Sequence, residues 1–154
     1  MILKTEKNVL ITKLDQSKID KKNLIQKNNH LKDSIAGLLS FNRNNVKRLM
    51  KLYDIKHPEI VFKQATLETG NFTSRIFADN NNLFGMKEAR IRATTSTGTA
   101  FGHATYNSYI DSIKDYKLWQ MTLYDEDKYD SDYFAFLNAI GYAEDKKYIR
   151  KLKN

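Results

Sequence analysis

The sequence predicts a mainly helical domain with a small β-hairpin lobe or long loop at about residues 88–107, preceded by an N-terminal helix. Three observations carry this prediction. Leucine recurs every seven residues through residues 3–38. Proline, glycine and serine then stand where short helices start and stop. Finally, residues 88–107 lose helical periodicity and gather threonine and glycine, as strands and turns do.

In the N-terminal stretch, Leu3, Leu10, Leu24, Leu31 and Leu38 form the heptad series, which Ser17 interrupts. Leu14, Lys21, Asn28 and Ile35 hold the companion positions. Leucine at one seam and a polar asparagine at the other is the pattern of a helix that pairs with another helix. The lysines and Ser17 in the seam equally suit a lone amphipathic helix docked on the domain behind it. Residues 1–40 are therefore a basic amphipathic segment, suited to tethering or self-association through residues 3–38.

A compact domain is expected from residue 41 to 154. Residues 44–53 read as a helix with Val46, Leu49, Met50 and Tyr53 inward. After a turn at 54–57, Pro58 suits the first position of a new helix, because its missing N–H has no partner there in any case. That helix runs to about Thr69, where Gly70 fits the left-handed residue beyond a helix end. Residues 71–87 read as a loop with short turns. Ser108-Tyr109-Ile110-Asp111 reads as a capping box opening a helix of about sixteen residues, with Ile110, Ile113, Tyr116, Gln120 and Leu123 on one face. An acidic turn, 125–132, precedes a helix over 133–140 stopped by Gly141. A last helix covers about 145–152.

Composition narrows the function. Cysteine is absent, so disulfide and thiol chemistry are excluded. The N-terminus has no apolar run long enough for a signal-peptide core, and no segment is long enough to span a membrane. Residues 1–51 hold 12 Lys or Arg against 4 Asp or Glu, whereas residues 52–154 hold 14 of each. The whole excess of +8 thus lies in the N-terminal third, and it favours anionic surfaces. Aromatic residues do not alternate with basic ones as a nucleic-acid platform requires, so no nucleic-acid partner is expected. His30, His57 and His103 lack metal-ligand spacing with any carboxylate pair, and no cofactor or metal is expected.

The stretch with the most chemical content is Gln64-Ala65-Thr66-Leu67-Glu68-Thr69-Gly70. Val61, Gln64, Ala65 and Glu68 share a helix face by their spacing. A carboxylate ending an apolar stripe is partly withdrawn from water, which favours its protonated form. Such a group can donate a proton to a glycosidic oxygen. The spacing alone equally allows an exposed helix-end glutamate.

Four segments, taken together, resemble the bacterial glucosaminidase domain, family 73 of the glycoside hydrolases. They are Gln64–Gly70, Asn82-Leu83-Phe84-Gly85-Met86-Lys87, the Tyr106-Asn107-Ser108 segment with the helix after it, and Gly141-Tyr142-Ala143-Glu144-Asp145-Lys146-Lys147-Tyr148. The resemblance covers about residues 42–152. It implies a lysozyme-like fold and a catalytic domain that acts on the glycan strands of peptidoglycan, cleaving the β-1,4 bond after N-acetylglucosamine. It puts Glu68 at the general acid and Tyr106 beside the reacting sugar, with Gln64, Asn82, Phe84, Gly85 and Ser108 as substrate-binding positions. The alternatives are a muramidase or lytic transglycosylase, which share the fold, or a non-catalytic glycan-binding or structural module. The chain departs from the family at the second carboxylate, where Ser96 or Thr97 stands. Glu88 and Asp111, and further off Asp79, are the candidates to replace it, unless the substrate's own 2-acetamido group assists. A protein acting on the wall without a signal peptide would reach it by a secretion system, by lysis or in a phage particle.

Overall fold

A computed structural model describes residues 2–143, 145 and 147–154, with the side chains of 2–7, 33, 36 and 38 excepted. The side chains of Leu3 and Leu38, and Glu144 and Lys146 of the closing motif, thus lie outside the described residues. The chain divides into two compact units, Met1–Ser40 and Phe41–Asn154.

The first unit is one helix, α1 (Ile2–Leu39). Its heptad residues Leu10, Leu24 and Leu31 are exposed, as are Leu14 and Ile35.

In the second unit, α2 (Arg43–Leu52) begins at Asn42, whose side chain accepts the Asn45 N–H at 2.8 Å. It buries Val46, Leu49 and Met50, three of the four inward residues expected. Helix α3 (Pro58–Glu68) carries proline in its first turn and buries Val61, Gln64 and Ala65. Beyond its C-cap, Gly70 takes φ +53°. The loop expected over 71–87 contains a short helix, α4 (Arg75–Asn80), capped by the Ser74 hydroxyl.

The segment over 88–107 combines both expectations. Most of it is loop, and it ends in a minimal antiparallel hairpin, β1 (Gly98–Ala100) and β2 (His103–Thr105), in register Gly98 to Thr105. Helix α5 (Tyr109–Leu123) starts at Ser108, whose hydroxyl accepts the Asp111 N–H. It buries Ile110, Ile113, Tyr116 and Gln120. Leu123, expected on the same face, is 48% exposed, because the last turn of α5 runs past the core to the rim of a groove.

The acidic stretch contains a single helical turn, α6 (Glu126–Tyr129), before α7 (Tyr133–Ala139). The last helix, α8 (Tyr148–Lys153), starts three residues later than expected, where the Asp145 carboxylate accepts the Lys147 N–H at 2.8 Å. Val46, Met50, Val61, Ala65, Ile113, Tyr116, Phe136, Leu137 and Leu152 meet in one core drawn from α2, α3, α5, α7 and α8. The domain is mainly α, with the hairpin as its β part.

Candidate active site

Glu68 is the last residue of α3, and that end is tightly fixed. Thr69 donates its N–H to Ala65 O at 3.1 Å and its hydroxyl to the same oxygen at 2.6 Å. The Phe72 N–H then donates to the Thr69 hydroxyl at 2.8 Å. These bonds satisfy the carbonyls and amides that a helix end leaves open.

Glu68 opens onto a groove of about 800 Å³. Phe84, Gly85 and Met86 form one side, Arg92 and His103 come from the β lobe, and Trp119, Tyr142 and Tyr148 come from the helices. Burial raises the Glu68 pKa, while a hydrogen bond from Tyr148 and the charge of His103 oppose that rise; the net direction is up.

Beneath Glu68 runs a chain of polar groups inside the core. Tyr148 donates to Glu68 and accepts from Gln64 Nε2 at 3.3 Å. Gln64, fully buried, accepts from the Tyr116 hydroxyl at 2.8 Å. Tyr116 has only one proton, so the Tyr133 hydroxyl, 2.8 Å away, donates to it. Gln120 Nε2 in turn donates to Tyr133 at 2.8 Å, and its Oε1 accepts the Lys56 N–H at 2.9 Å. Burial holds the hydroxyls of Tyr116 and Tyr142 well above the usual tyrosine range and pushes Tyr133 up to about 12.

The turn facing Glu68 is built by Asn82. Its side-chain NH₂ donates to Met86 O and Ala104 O, both at 2.9 Å, and its carbonyl accepts the N–H groups of Phe84 and Met86. The turn is thereby stitched to β2, and the Leu83 N–H, bonded to the Ser112 hydroxyl at 3.1 Å, ties it to α5. Gly85 takes φ +62° here, and a Cβ on it would sit 3.3 Å from Glu68 Oε2. Only glycine meets both conditions without strain. Its carbonyl accepts from His103 Nδ1 at 3.0 Å.

The residues singled out from the sequence separate into two groups. Glu68, Phe84 and Gly85 line the groove. Gln64 and Asn82 are buried and act one layer back, positioning Tyr148 and the turn respectively. Ser108 caps α5 and does not line the groove. Tyr106 is 4% exposed, and its hydroxyl donates to Asp115 at 2.8 Å. Asp115 is fully buried and holds Arg92 in a two-pronged ion pair at 2.7 and 3.0 Å. Tyr106 therefore supports the groove wall through Asp115 and Arg92.

The proposed second carboxylates are elsewhere. Glu88 is exposed and accepts from the Thr99 hydroxyl at 2.6 Å. Asp111 pairs with Lys114 at 3.1 Å, and Asp79 with Arg75 at 3.0 Å. The hydroxyls of Ser96 and Thr97 are engaged within the hairpin, on Gly98 O and Thr105. Among the described groove residues the acids are Glu68 and Asp145, and Asp145 is paired with Lys151 at 2.6 Å. Trp119, Arg92 and Tyr148 are groove residues that sequence reasoning did not single out. For Trp119, its being the sole tryptophan was an available signal. The described residues contain no group of three or more side chains able to hold a metal.

Residues 43–154 match the family model described as mannosyl-glycoprotein endo-beta-N-acetylglucosaminidase. The chain belongs to the glucosaminidase family. This glucosaminidase domain is 35% identical over 68 residues to Protein bax of Escherichia coli (strain K12). That stretch is 44% of the present chain and only 25% of the relative's length. Among solved structures, the catalytic domain of the autolysin Auto from Listeria monocytogenes aligns with a TM-score of 0.48 and 24% identity, over 82% of this chain and 90% of that one. Among the described residues no helix is long and apolar enough to cross a membrane.

Proposed function

We propose that this glucosaminidase domain is a peptidoglycan hydrolase that cleaves the β-1,4 bond after N-acetylglucosamine, with Glu68 as general acid. The observation carrying the proposal is the setting of Glu68. It is a half-buried carboxyl group with a raised pKa, at a rigid helix end, opening onto a groove large enough for several sugar rings. Raising the pKa enlarges the fraction of the carboxyl group that holds a proton to give to the leaving glycosidic oxygen. The positive charge that develops at the anomeric carbon then meets a groove whose aromatic wall includes Trp119 and Tyr142. Lys87 gives the groove a cationic edge suited to carboxylates carried by the wall strand, beside Arg92, whose charge is matched by Asp115.

The test is mass spectrometry of fragments released from purified peptidoglycan by the wild type and by Glu68→Gln. The expected products end in reducing N-acetylglucosamine, and Glu68→Gln releases none while melting at the wild-type temperature. Products ending in muramic or anhydromuramic acid would transfer the domain to the muramidase or transglycosylase reading. Wall binding with no release by the wild type would make it a binding module.

A further inference from the structure

Hydrolysis with Glu68 as acid leaves one role unfilled: something must take the proton from the attacking water. Inverting glycosidases use a second carboxylate, separated from the acid by enough room for that water. The candidate carboxylates Glu88, Asp111 and Asp79 are bonded outside the groove, and Asp145 is committed to Lys151.

His103 is placed differently. It lies on β2, lines the groove, and carries a charge interaction with Glu68. Its Nδ1 is 3.0 Å from Gly85 O. A carbonyl oxygen only accepts, so Nδ1 carries the proton. In the neutral ring the lone pair is therefore on Nε2. Such fixing of one ring nitrogen by a backbone carbonyl is how a histidine is set as a base at the other. Gly85 touches both partners, with its carbonyl on His103 and its α-carbon facing Glu68 Oε2. The acid and the imidazole are thus registered against the same residue, which Asn82 locks from below.

Resting on the assignment of Glu68 as acid, we propose that His103 Nε2 is the general base of this domain. As the bond from C1 to the leaving oxygen breaks, Glu68 gives that oxygen its proton. The water oxygen bonds to C1 and its proton passes to Nε2. Glu68 ends as carboxylate and His103 as imidazolium, and exchange of one proton with solvent restores both. The route inverts the anomeric carbon and needs neither a second carboxylate nor the substrate's acetamide.

The experiment compares His103→Asn, His103→Ala and Glu68→Gln on a soluble peptidoglycan oligosaccharide. The asparagine amide can still donate to Gly85 O in place of Nδ1 but offers no base, so it separates a structural role from a chemical one. His103→Asn is expected to lose about 100-fold or more in kcat, the usual size of a general-base contribution, with an unchanged melting temperature. Azide, which needs no base, is expected to restore cleavage by His103→Ala with an α-glycosyl azide as product. The first product of the wild type is expected to be the α anomer. Activity retained in His103→Asn while Glu68→Gln is dead would overturn the base assignment and leave the acid standing. A β first product, with loss of cleavage on N-deacetylated strands, would overturn it in favour of the acetamide. Activity in Glu68→Gln would remove the reading on which both rest.

Discussion

Replacing Gly85 by alanine perturbs the site through one methyl group, and its effect can be separated into two parts. The first is backbone strain. At φ +62° an L side chain costs about 1–2 kcal/mol. The second is contact, because the new methyl carbon would lie 3.3 Å from Glu68 Oε2, closer than such atoms normally approach. Gly141 supplies the control, since it has φ +60° and nothing within 4 Å of its would-be Cβ. The shared strain should lower the melting temperature of both variants, by roughly 4–8 °C per kcal/mol on the small-domain scale, and Gly85→Ala somewhat further through its contact. Only Gly85→Ala should displace the carboxyl group, by a few tenths of an ångström. A 1 Å misplacement costs on the order of 100-fold in rate, so Gly85→Ala should lose roughly tenfold more kcat than Gly141→Ala. The assay is release of reducing ends from peptidoglycan, alongside thermal melts of both variants. Equal kcat in the two variants would refute the idea that Gly85 is small for the sake of Glu68.

Three further expectations follow from the same geometry. Tyr148→Phe removes a donor that stabilises the charged form of Glu68, so the carboxyl pKa rises further and the alkaline limb of the pH–rate profile moves to higher pH; a limb that stays put or moves down contradicts the hydrogen bond. Arg92→Ala strands the Asp115 carboxylate in the core and should destabilise the fold by about 3–5 kcal/mol at neutral pH. Burial alone would raise the Asp115 pKa, but Arg92 and the hydroxyls of Thr94 and Tyr106 outweigh it and hold the group low. Its stabilising contribution is present above the unfolded-state value of about 3.9 and is lost as pH falls through the lowered folded value. The gap in melting temperature between wild type and Arg92→Ala should therefore narrow in acid, and a gap independent of pH would count against the pairing. Trp119 is the sole tryptophan and lines the groove, so the fluorescence of Glu68→Gln should change as a chito-oligosaccharide is titrated in; a silent titration with binding proved by calorimetry would place the glycan elsewhere.

Local signals in the sequence located most helices of the domain. Pro58 and Ser108 act within three or four residues of themselves, and their effects are readable at that range. Helix α4 escaped because its six residues make fewer than two turns, too few for a repeating pattern, although Ser74 caps it. The start of α8 was misplaced because Asp145 spends its carboxylate on the Lys147 amide and on Lys151, which a helical pattern does not reveal. In the site, Glu68 and Gly85 were visible as a carboxylate ending an apolar face and a glycine in a turn. The support beneath them was not, since the Gln64–Tyr148 and Gln64–Tyr116 bonds join residues 84 and 52 positions apart. Ser108 has a sufficient local duty as the cap of α5, and it lies outside the groove lining.

The polar chain under Glu68 has a direction. From Gln120 through Tyr133, Tyr116 and Gln64 to Tyr148, each member donates toward the acid. The raised pKa values keep the tyrosine protons in place, and the Gln64 amide, which does not readily give up and regain a proton, interrupts the chain between Tyr116 and Tyr148. No member is free to collect a proton from the interior and hand it on. The wire therefore conducts polarisation but not protons, and any proton exchange of Glu68 runs through the groove side. Because Tyr148 occupies one carboxyl oxygen as a donor, the acidic hydrogen is left to the other oxygen. On the proposal that Glu68 is the acid, the core acts as a one-way backstop, and the proton that Glu68 gives up has to return to it from the groove side.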